Sequence, residues 1–193
     1  MHEDVVQFFK MERGLVLFTD IDGLMQILNI NHNPLDWRLF IDASQCSLKT
    51  VLLQNGNTLP SIRIGHSVQN KESYENLKIP IGTIHYDKLK WQISGDVKVI
   101  ALLLWPQQGV TKYCCFICEW DSRAQSFHYS RKDWPARKSL ELGIMNVENQ
   151  LLVERSKTLL PSMHFKLGLM KFFVKAMKQV GAAFTYLRVT FPY

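Results

Sequence analysis

The stretch Trp37-Arg38-Leu39-Phe40-Ile41-Asp42 is a short apolar run that ends in a carboxylate. A second run, Trp91-Gln92-Ile93-Ser94-Gly95-Asp96, ends in the same way. Aromatic and β-branched residues in runs of this length are typical of β-strands. If the two strands are neighbours in one sheet, Asp42 and Asp96 converge at its edge, where paired carboxylates are suited to hold Mg²⁺. The simpler alternative is that each Asp forms a turn or, at Asp96, caps the following helix.

The segments between these two runs predict the order of the sheet. Strand-like runs at 48–54 and 61–68 follow the first run, with the hairpin signal Asn55-Gly56-Asn57 between them. Residues 71–88 are rich in helix formers, although Pro80 predicts a kink or an early end. Three strands joined by tight turns predict an antiparallel meander, and the helical crossover returns the fourth strand parallel to the first and beside it. We therefore predict an α/β fold with a mixed sheet, which resembles the ribonuclease-H-like arrangement.

The flanking segments are less regular. Residues 1–34 are predicted as a helical lead-in, in which Asp20 or Asp22 caps a short helix at 23–28. Residues 35–193 are predicted to form the core, with further helices at 98–105 and 164–179. An irregular, cysteine-containing insertion is expected around 112–160, and its first residues, 112–118, are a strand candidate.

Composition narrows the class of protein. The chain has 193 residues, a net charge of +6 and a pI near 9.2, so we expect a globular domain with a polyanionic partner such as DNA. No apolar run approaches the roughly 18 residues that a membrane span needs, and no membrane partner is expected. The N-terminus has no signal-peptide pattern. The predicted location is therefore nuclear or cytoplasmic.

Several short motifs occur in an order that resembles a known family. They are Asp42-Ala43-Ser44, Ser47-Leu48-Lys49, Gly95-Asp96-Val97-Lys98, the run from Tyr113 to Cys118, and the run from Leu160 to Gly168. Together they resemble the catalytic core of cut-and-paste DNA transposases, and more closely transposon-derived proteins of animal genomes. The order is also similar to that of Transib-type transposases and the V(D)J recombinase catalytic subunit. The resemblance covers roughly residues 37–178.

The resemblance implies a ribonuclease-H-like domain with three acidic metal ligands that cleaves and transfers DNA strands with Mg²⁺. Asp42 would match the first ligand, Asp96 the second, and His164 a histidine that lies close to the acids. No third acid of this chain can be matched. We therefore expect a truncated core that has lost its catalytic activity, and Mg²⁺ as an ancestral cofactor.

The cysteines form a second candidate site. Cys115 and Cys118 have the C-x-x-C spacing of half a zinc site, and His128, His164 and Cys114 are candidates for the remaining ligands. The alternative is a buried strand that carries small thiols.

A third candidate is a DNA-contacting stretch that mixes cations with aromatic residues, the combination that neutralises phosphates and stacks on bases. Its members are Arg123, Arg131, Lys132, Trp134, Arg137 and Lys138. The alternative is an ordinary solvated face. For the whole chain, the alternatives to a transposase-derived domain are a non-enzymatic nucleic-acid-binding or protein-interaction module, and a decayed reading frame.

Overall fold

The apolar run that begins at Trp37 is the third strand of a seven-stranded mixed sheet in a computed structural model, which describes residues 8–104 and 111–191. The strands are β1 (Phe9–Glu12), β2 (Leu15–Phe18), β3 (Trp37–Ala43), β4 (Leu48–Gln54), β5 (Ile62–Ser67), β6 (Gln92–Gly95) and β7 (Thr158–Leu159). The six α-helices of the described residues are α1 (Ile21–Ile27), α2 (Tyr74–Thr83), α3 (Tyr86–Leu89), α4 (Val97–Leu104), α5 (Ser162–Ala176) and α6 (Ala182–Thr190).

The strand order across the sheet is β1-β2-β5-β4-β3-β6-β7. Strands β3, β4 and β5 form an antiparallel meander, and β6 pairs parallel to β3 on its other side. Both features confirm the predicted topology. Strand β7 then pairs parallel to β6, which extends the parallel part of the sheet by one strand that the sequence did not reveal.

One face of the sheet carries the core. Along β3, Trp37, Leu39, Ile41 and Ala43 are buried, whereas Arg38, Phe40 and Asp42 alternate with them and are more accessible. This is the period of two that a strand with one buried face requires. Apolar side chains of α1, α2 and α4 belong to the same buried cluster as the inward residues of β3. The helices between the strands therefore bury the inner face of the sheet and fix its register.

Two sequence predictions need correction, those for the lead-in and for residues 112–118, and a third, for α2, is confirmed. Much of the predicted helical lead-in is a β-hairpin, since β1 and β2 turn at Arg13 and Gly14, both with positive φ, and β2 pairs with β5. Helix α2 includes Pro80 and ends at Thr83, well before residue 88, which agrees with the predicted early end. Residues 112–118 form turns and a single bridge, Cys118 to Ala136, rather than a strand.

Other predictions are confirmed with small shifts. Asp20 caps α1, since its carboxylate accepts a hydrogen bond of 2.9 Å from the backbone N–H of Gly23. Helix α4 begins at Val97 and is described to Leu104, while the predicted end at residues 105–106 lies outside the described residues. Helix α5 occupies most of the predicted span 164–179. Most of residues 119–160 is irregular, as predicted.

The chain divides into two compact units, Met1–Leu160 and Pro161–Tyr193. The first contains the whole sheet and α1 to α4, and the second contains α5 and α6. Among residues 8–104 and 111–191, no helix is long and apolar enough to span a bilayer.

The contact between β3 and β6 predicts the effect of a single added methyl group. A Cβ at Gly95 would lie 2.7 Å from the backbone oxygen of Ile41, so Gly95→Ala should lower the free energy of unfolding by about 1–3 kcal/mol. Gly82 in α2 has no atom within 4 Å of an added Cβ, and Gly82→Ala should be neutral or stabilise by up to about 1 kcal/mol. Urea denaturation of both variants measures the difference. Equal stability of the two would contradict the close β3–β6 pairing.

Candidate functional site

Asp42 and Asp96 lie at the same edge of the sheet. The last matched pair of the parallel strands β3 and β6 is Ile41 with Gly95, so the next residue of each strand is one of the two aspartates. The predicted adjacency of the two carboxylate-bearing positions is therefore confirmed for the backbone.

Each of these carboxylates has a partner of its own. Asp42 Oδ2 lies 3.8 Å from the Nζ atom of Lys49, its cross-strand neighbour on β4. Asp96 Oδ1 accepts a hydrogen bond of 2.7 Å from the backbone N–H of Val99, and the Asp96 carbonyl accepts one of 3.0 Å from Ile100. Asp96 thus caps α4, as the simpler alternative proposed, and satisfies an N–H group that would otherwise lack a partner.

A third carboxylate that the sequence did not reveal, Glu72, lies at the same edge. Its backbone N–H donates a hydrogen bond of 2.9 Å to the carbonyl of Ser44, just after β3. Its side chain is only 12% exposed and forms an ion pair with Lys98, two residues after Asp96. Strand β5 runs in the same direction as β3, so the connection that leaves β5 begins at the edge where β3 ends. The topology alone therefore brings Glu72 to this edge.

Glu154 lies elsewhere. Its carboxylate is 3.2 Å from the Nζ atom of Lys90, which precedes β6 at the opposite edge of the sheet. The hydrogen bond to Lys90, together with its charge, lowers the pKa of Glu154 below its ordinary value. Glu154 therefore does not supply the third acidic ligand that the family resemblance implies.

The residues at the edge do not fit a resident metal ion. Within the described residues, no three His, Cys, Asp or Glu side chains are grouped closely enough to hold one. The carboxylates of Asp42, Glu72 and Asp96 are instead engaged by Lys49, Lys98 and the helix N-terminus, respectively. These partners supply positive charge from the protein itself.

His164 is in the first turn of α5, in the second unit, and is exposed. Because His164 belongs to the second unit, its predicted proximity to Asp42 and Asp96 of the first unit stays a prediction.

The two cysteines of the C-x-x-C motif face a common point. Their sulfur atoms are 3.6 Å apart, close to the roughly 3.8 Å between two thiolates bound tetrahedrally to one zinc ion at about 2.3 Å. His128 Nε2 hydrogen-bonds instead to the carbonyl of Asp121 at 2.8 Å, and its ring stacks on Trp120. Since no third ligand is grouped with the sulfurs in the described residues, the thiols make half a site, and zinc stays a prediction.

The thiols of Cys114 and Cys118 are not activated as nucleophiles. Burial is the main cause that raises the pKa of Cys114, and burial followed by the hydrogen bond with Cys115 raises the pKa of Cys118. Both groups are therefore mainly protonated at neutral pH.

Arg137 lies inside the loop of residues 113–118 that carries three cysteines, which we call the cysteine loop, and its hydrogen bonds hold this loop in place. It is 2% exposed, and its guanidinium donates hydrogen bonds to the carbonyls of Cys115, at 3.0 Å, and Met145, at 2.6 Å. Its own carbonyl accepts a hydrogen bond of 2.6 Å from Arg155. Burial lowers the pKa of Arg137 below its ordinary value. The prediction that Arg137 contacts DNA is therefore wrong, because its cation is committed to backbone carbonyls.

The other members of the predicted DNA-contacting stretch are accessible. Arg123, Arg131, Lys132 and Lys138 are exposed, and Trp134 is half-buried. The guanidinium of Arg131 lies 4.5 Å from the ring centroid of Trp134. We call the five residues Arg123, Arg131, Lys132, Trp134 and Lys138 the cationic loop surface.

Because the guanidinium of Arg137 is buried, a substitution there should lower stability far more than one at the exposed neighbour Lys138. Arg137→Lys keeps the charge but cannot satisfy several carbonyls at once, so it should lower the free energy of unfolding by about 2–3 kcal/mol. Lys138→Met, at the exposed neighbouring position, should change it by no more than about 0.5 kcal/mol. Thermal and urea denaturation test this. A fully stable Arg137→Lys protein would show that the carbonyl contacts are dispensable.

The raised thiol pKa values predict slow alkylation. Because the thiolate is the reacting form, iodoacetamide should label Cys114 and Cys118 more slowly in the folded protein than in a synthetic peptide of residues 112–120 at pH 7.5. The difference should shrink as the pH rises above 9, and peptide mass spectrometry measures both rates. Faster labelling in the folded protein would contradict the direction of the shift.

The same alkylation assay tests whether Cys115 and Cys118 bind zinc. If the two facing sulfurs bind it, equimolar Zn²⁺ should protect Cys115 and Cys118 together and leave the exposed Cys46 reactive. Absence of this joint protection would remove the zinc hypothesis.

Comparison with known proteins places most of the chain in one family of unknown function. No curated protein and no solved structure matches the chain significantly. The model of a second family, described as a domain of unknown function (DUF8704), matches residues 162–193. Residues 1–153, most of the chain and the part that contains the Asp42–Asp96 edge and the cysteine loop, match a domain of unknown function (DUF8703), and the chain belongs to this family.

Proposed function

We propose that the first unit is a ribonuclease-H-like domain of DNA-transposase ancestry that binds DNA but does not cleave it. The observation that carries this proposal is the placement of Asp42 and Asp96 on adjacent parallel strands, next to the antiparallel meander β3-β4-β5. Both aspartates belong to the ordered motifs that carry the resemblance to transposase cores. The exposed loops around this sheet are where binding residues are expected on such a scaffold.

The contacts of the carboxylates at this edge support the proposed absence of cleavage. Metal-assisted strand cleavage needs carboxylates that hold the ion and align an attacking water. Asp96 is committed to the α4 cap, Glu72 to Lys98, and Asp42 lies beside Lys49. With no cluster of three ligands in the described residues, these side chains do not support a resident metal ion.

DNA binding is supported by the cationic loop surface. Its four cations are exposed on irregular backbone, and two aromatic side chains in the same segment are open to solvent, Phe127 at 56% and Tyr129 at 98%. Cations of this kind neutralise phosphates and exposed aromatic rings stack on bases, with little sequence preference. The expected ligand is therefore DNA of any sequence, bound through its backbone.

Binding should depend on these cations and on salt. The triple variant Arg131→Gln, Lys132→Gln, Lys138→Gln should weaken binding of a fluorescent 30-base-pair duplex and reduce the slope of log K against log salt by roughly 2–3. A matched control replaces the exposed Lys71, Lys78 and Lys88 with Gln and removes the same charge. Fluorescence anisotropy at several salt concentrations compares the two. Equal losses in both variants would mean that only the overall charge attracts DNA.

Strand cleavage is tested on supercoiled plasmid with Mg²⁺ or Mn²⁺. The proposal expects no nicking above the level of an Asp42→Ala, Asp96→Ala double variant, because that edge lacks a metal-holding cluster. Metal-dependent nicking by the unaltered chain that the double variant loses would establish an active nuclease and overturn the proposal.

A second candidate function is a protein-interaction module. The observation that favours it is in the second unit, where large apolar side chains of α5 and α6 are exposed. Helices of this composition usually bury that surface against another partner.

A further inference from the structure

Nearly all of the net charge of the chain is in the second unit, Pro161–Tyr193. Five of the 23 Lys and Arg residues lie there, and none of the 17 Asp and Glu residues does, so this segment carries five of the six net positive charges. The cations are Lys166, Lys171, Lys175, Lys178 and Arg188. The first unit, by contrast, is almost neutral. The net positive charge of the chain is thus concentrated in the second unit, on α5, on α6 and, at Lys178, between them.

The two helices pack on each other through a narrow seam. Val174 of α5 and Phe184 and Leu187 of α6 are half-buried. A stripe on α5 stays open, with Phe165 at 46%, Leu169 at 71%, Phe172 at 72% and Phe173 at 56% exposure. Their spacing of four, three and one residues places these side chains on one side of the helix. We call these four residues the open stripe.

A cavity of about 330 Å³ lies between α5 and α6, lined by the apolar side chains of Met170, Val174, Phe184, Leu187 and Phe191, with Arg188 as its polar lining residue. An apolar cavity with one cation is suited to a bulky apolar side chain that has a carboxylate nearby. The cavity lies on the side of α5 that faces α6, and the open stripe lies on another side of the same helix.

We propose that α5 and α6 form the docking surface for an amphipathic helix of a partner protein, whose apolar residues are flanked by Asp and Glu. The open stripe would bury the apolar anchor residues of the partner helix, and the five cations would face its acidic flanks. This is a second binding surface, independent of the DNA-binding proposal for the first unit.

Other occupants fit the charges and side chains less well. A second copy that used the same surface would bring five cations against five cations with no acid between them. In a bilayer the helix would have to bury Lys166, which is four residues before Met170 and seven before Phe173 and so lies on an apolar side. DNA would neutralise the lysines but leave the phenylalanines of the open stripe uncovered. An acidic apolar helix satisfies both sets of groups.

The test uses the full chain and a fluorescein-labelled synthetic 20-residue helix with a leucine stripe flanked by glutamates. We expect saturable binding in fluorescence anisotropy that weakens with salt. The variant Lys166→Gln, Lys171→Gln, Arg188→Gln should weaken it at least about tenfold, as should Phe172→Ser. The variant Lys71→Gln, Lys78→Gln, Lys88→Gln removes the same charge from the first unit, outside the cationic loop surface, and should leave peptide affinity within about twofold. Circular dichroism confirms that each variant keeps its helices.

The peptide controls decide what is recognised. A peptide with lysines in place of glutamates, or serines in place of leucines, should not bind. Absence of binding by the acidic peptide, or equal loss in both triple variants, would overturn the proposal. Binding to phosphatidylserine–phosphatidylcholine vesicles in place of the peptide would reassign the surface to membranes. Self-association in sedimentation velocity that Phe172→Ser abolishes would reassign it to a second copy.

Discussion

The parallel pairing of β3 with β6 is the constraint on which the rest of the first unit depends. Because parallel strands need a crossover, this pairing requires the connection that contains α2 and α3, and it determines which side of the sheet they cover. It also brings the backbone of Ile41 against Gly95, with no room for a Cβ. The edge at which both strands end collects Asp42, Asp96 and, through the direction of β5, Glu72. One pairing therefore determines the layers, a close packing contact and the composition of the candidate site.

The sequence predicted this part well because its signals are local. The turn Asn55-Gly56-Asn57 lies directly after β4, and the period of two in β3 separates buried from accessible residues. The errors arose where distant groups decide the structure. The apolar run 113–118 resembles a strand in isolation, but the carbonyl of Cys115 is satisfied by the side chain of Arg137, far along the chain. In the same way Lys98 and Ser44 position Glu72, and no local pattern marks an acid for that role.

The two units differ in their charge, although the net charge of the whole chain does not show it. In the first unit, carboxylates at the sheet edge are matched by lysines and a helix N-terminus, which is consistent with a scaffold that keeps its shape without a bound ion. Its accessible cations are on irregular loops. In the second unit, lysines and an arginine accompany exposed phenylalanines and leucines, and no acid is present. We propose DNA as the partner of the first unit and an acidic helix as the partner of the second, so the two partners would not compete for the same residues.

We propose that the Asp42–Asp96 edge holds no divalent ion, because Lys49 and the N-terminus of α4 supply positive charge there and no three ligands are grouped in the described residues. The most direct measurement is paramagnetic broadening of backbone amide signals by submillimolar Mn²⁺ in the full chain, compared with the Asp42→Ala, Asp96→Ala variant. We expect Mn²⁺ to broaden the amide signals of residues 42 and 96 no more than that of an exposed acid elsewhere, such as Glu75. Selective broadening at both positions, lost in the double variant, would contradict it and show that the edge still holds a metal ion.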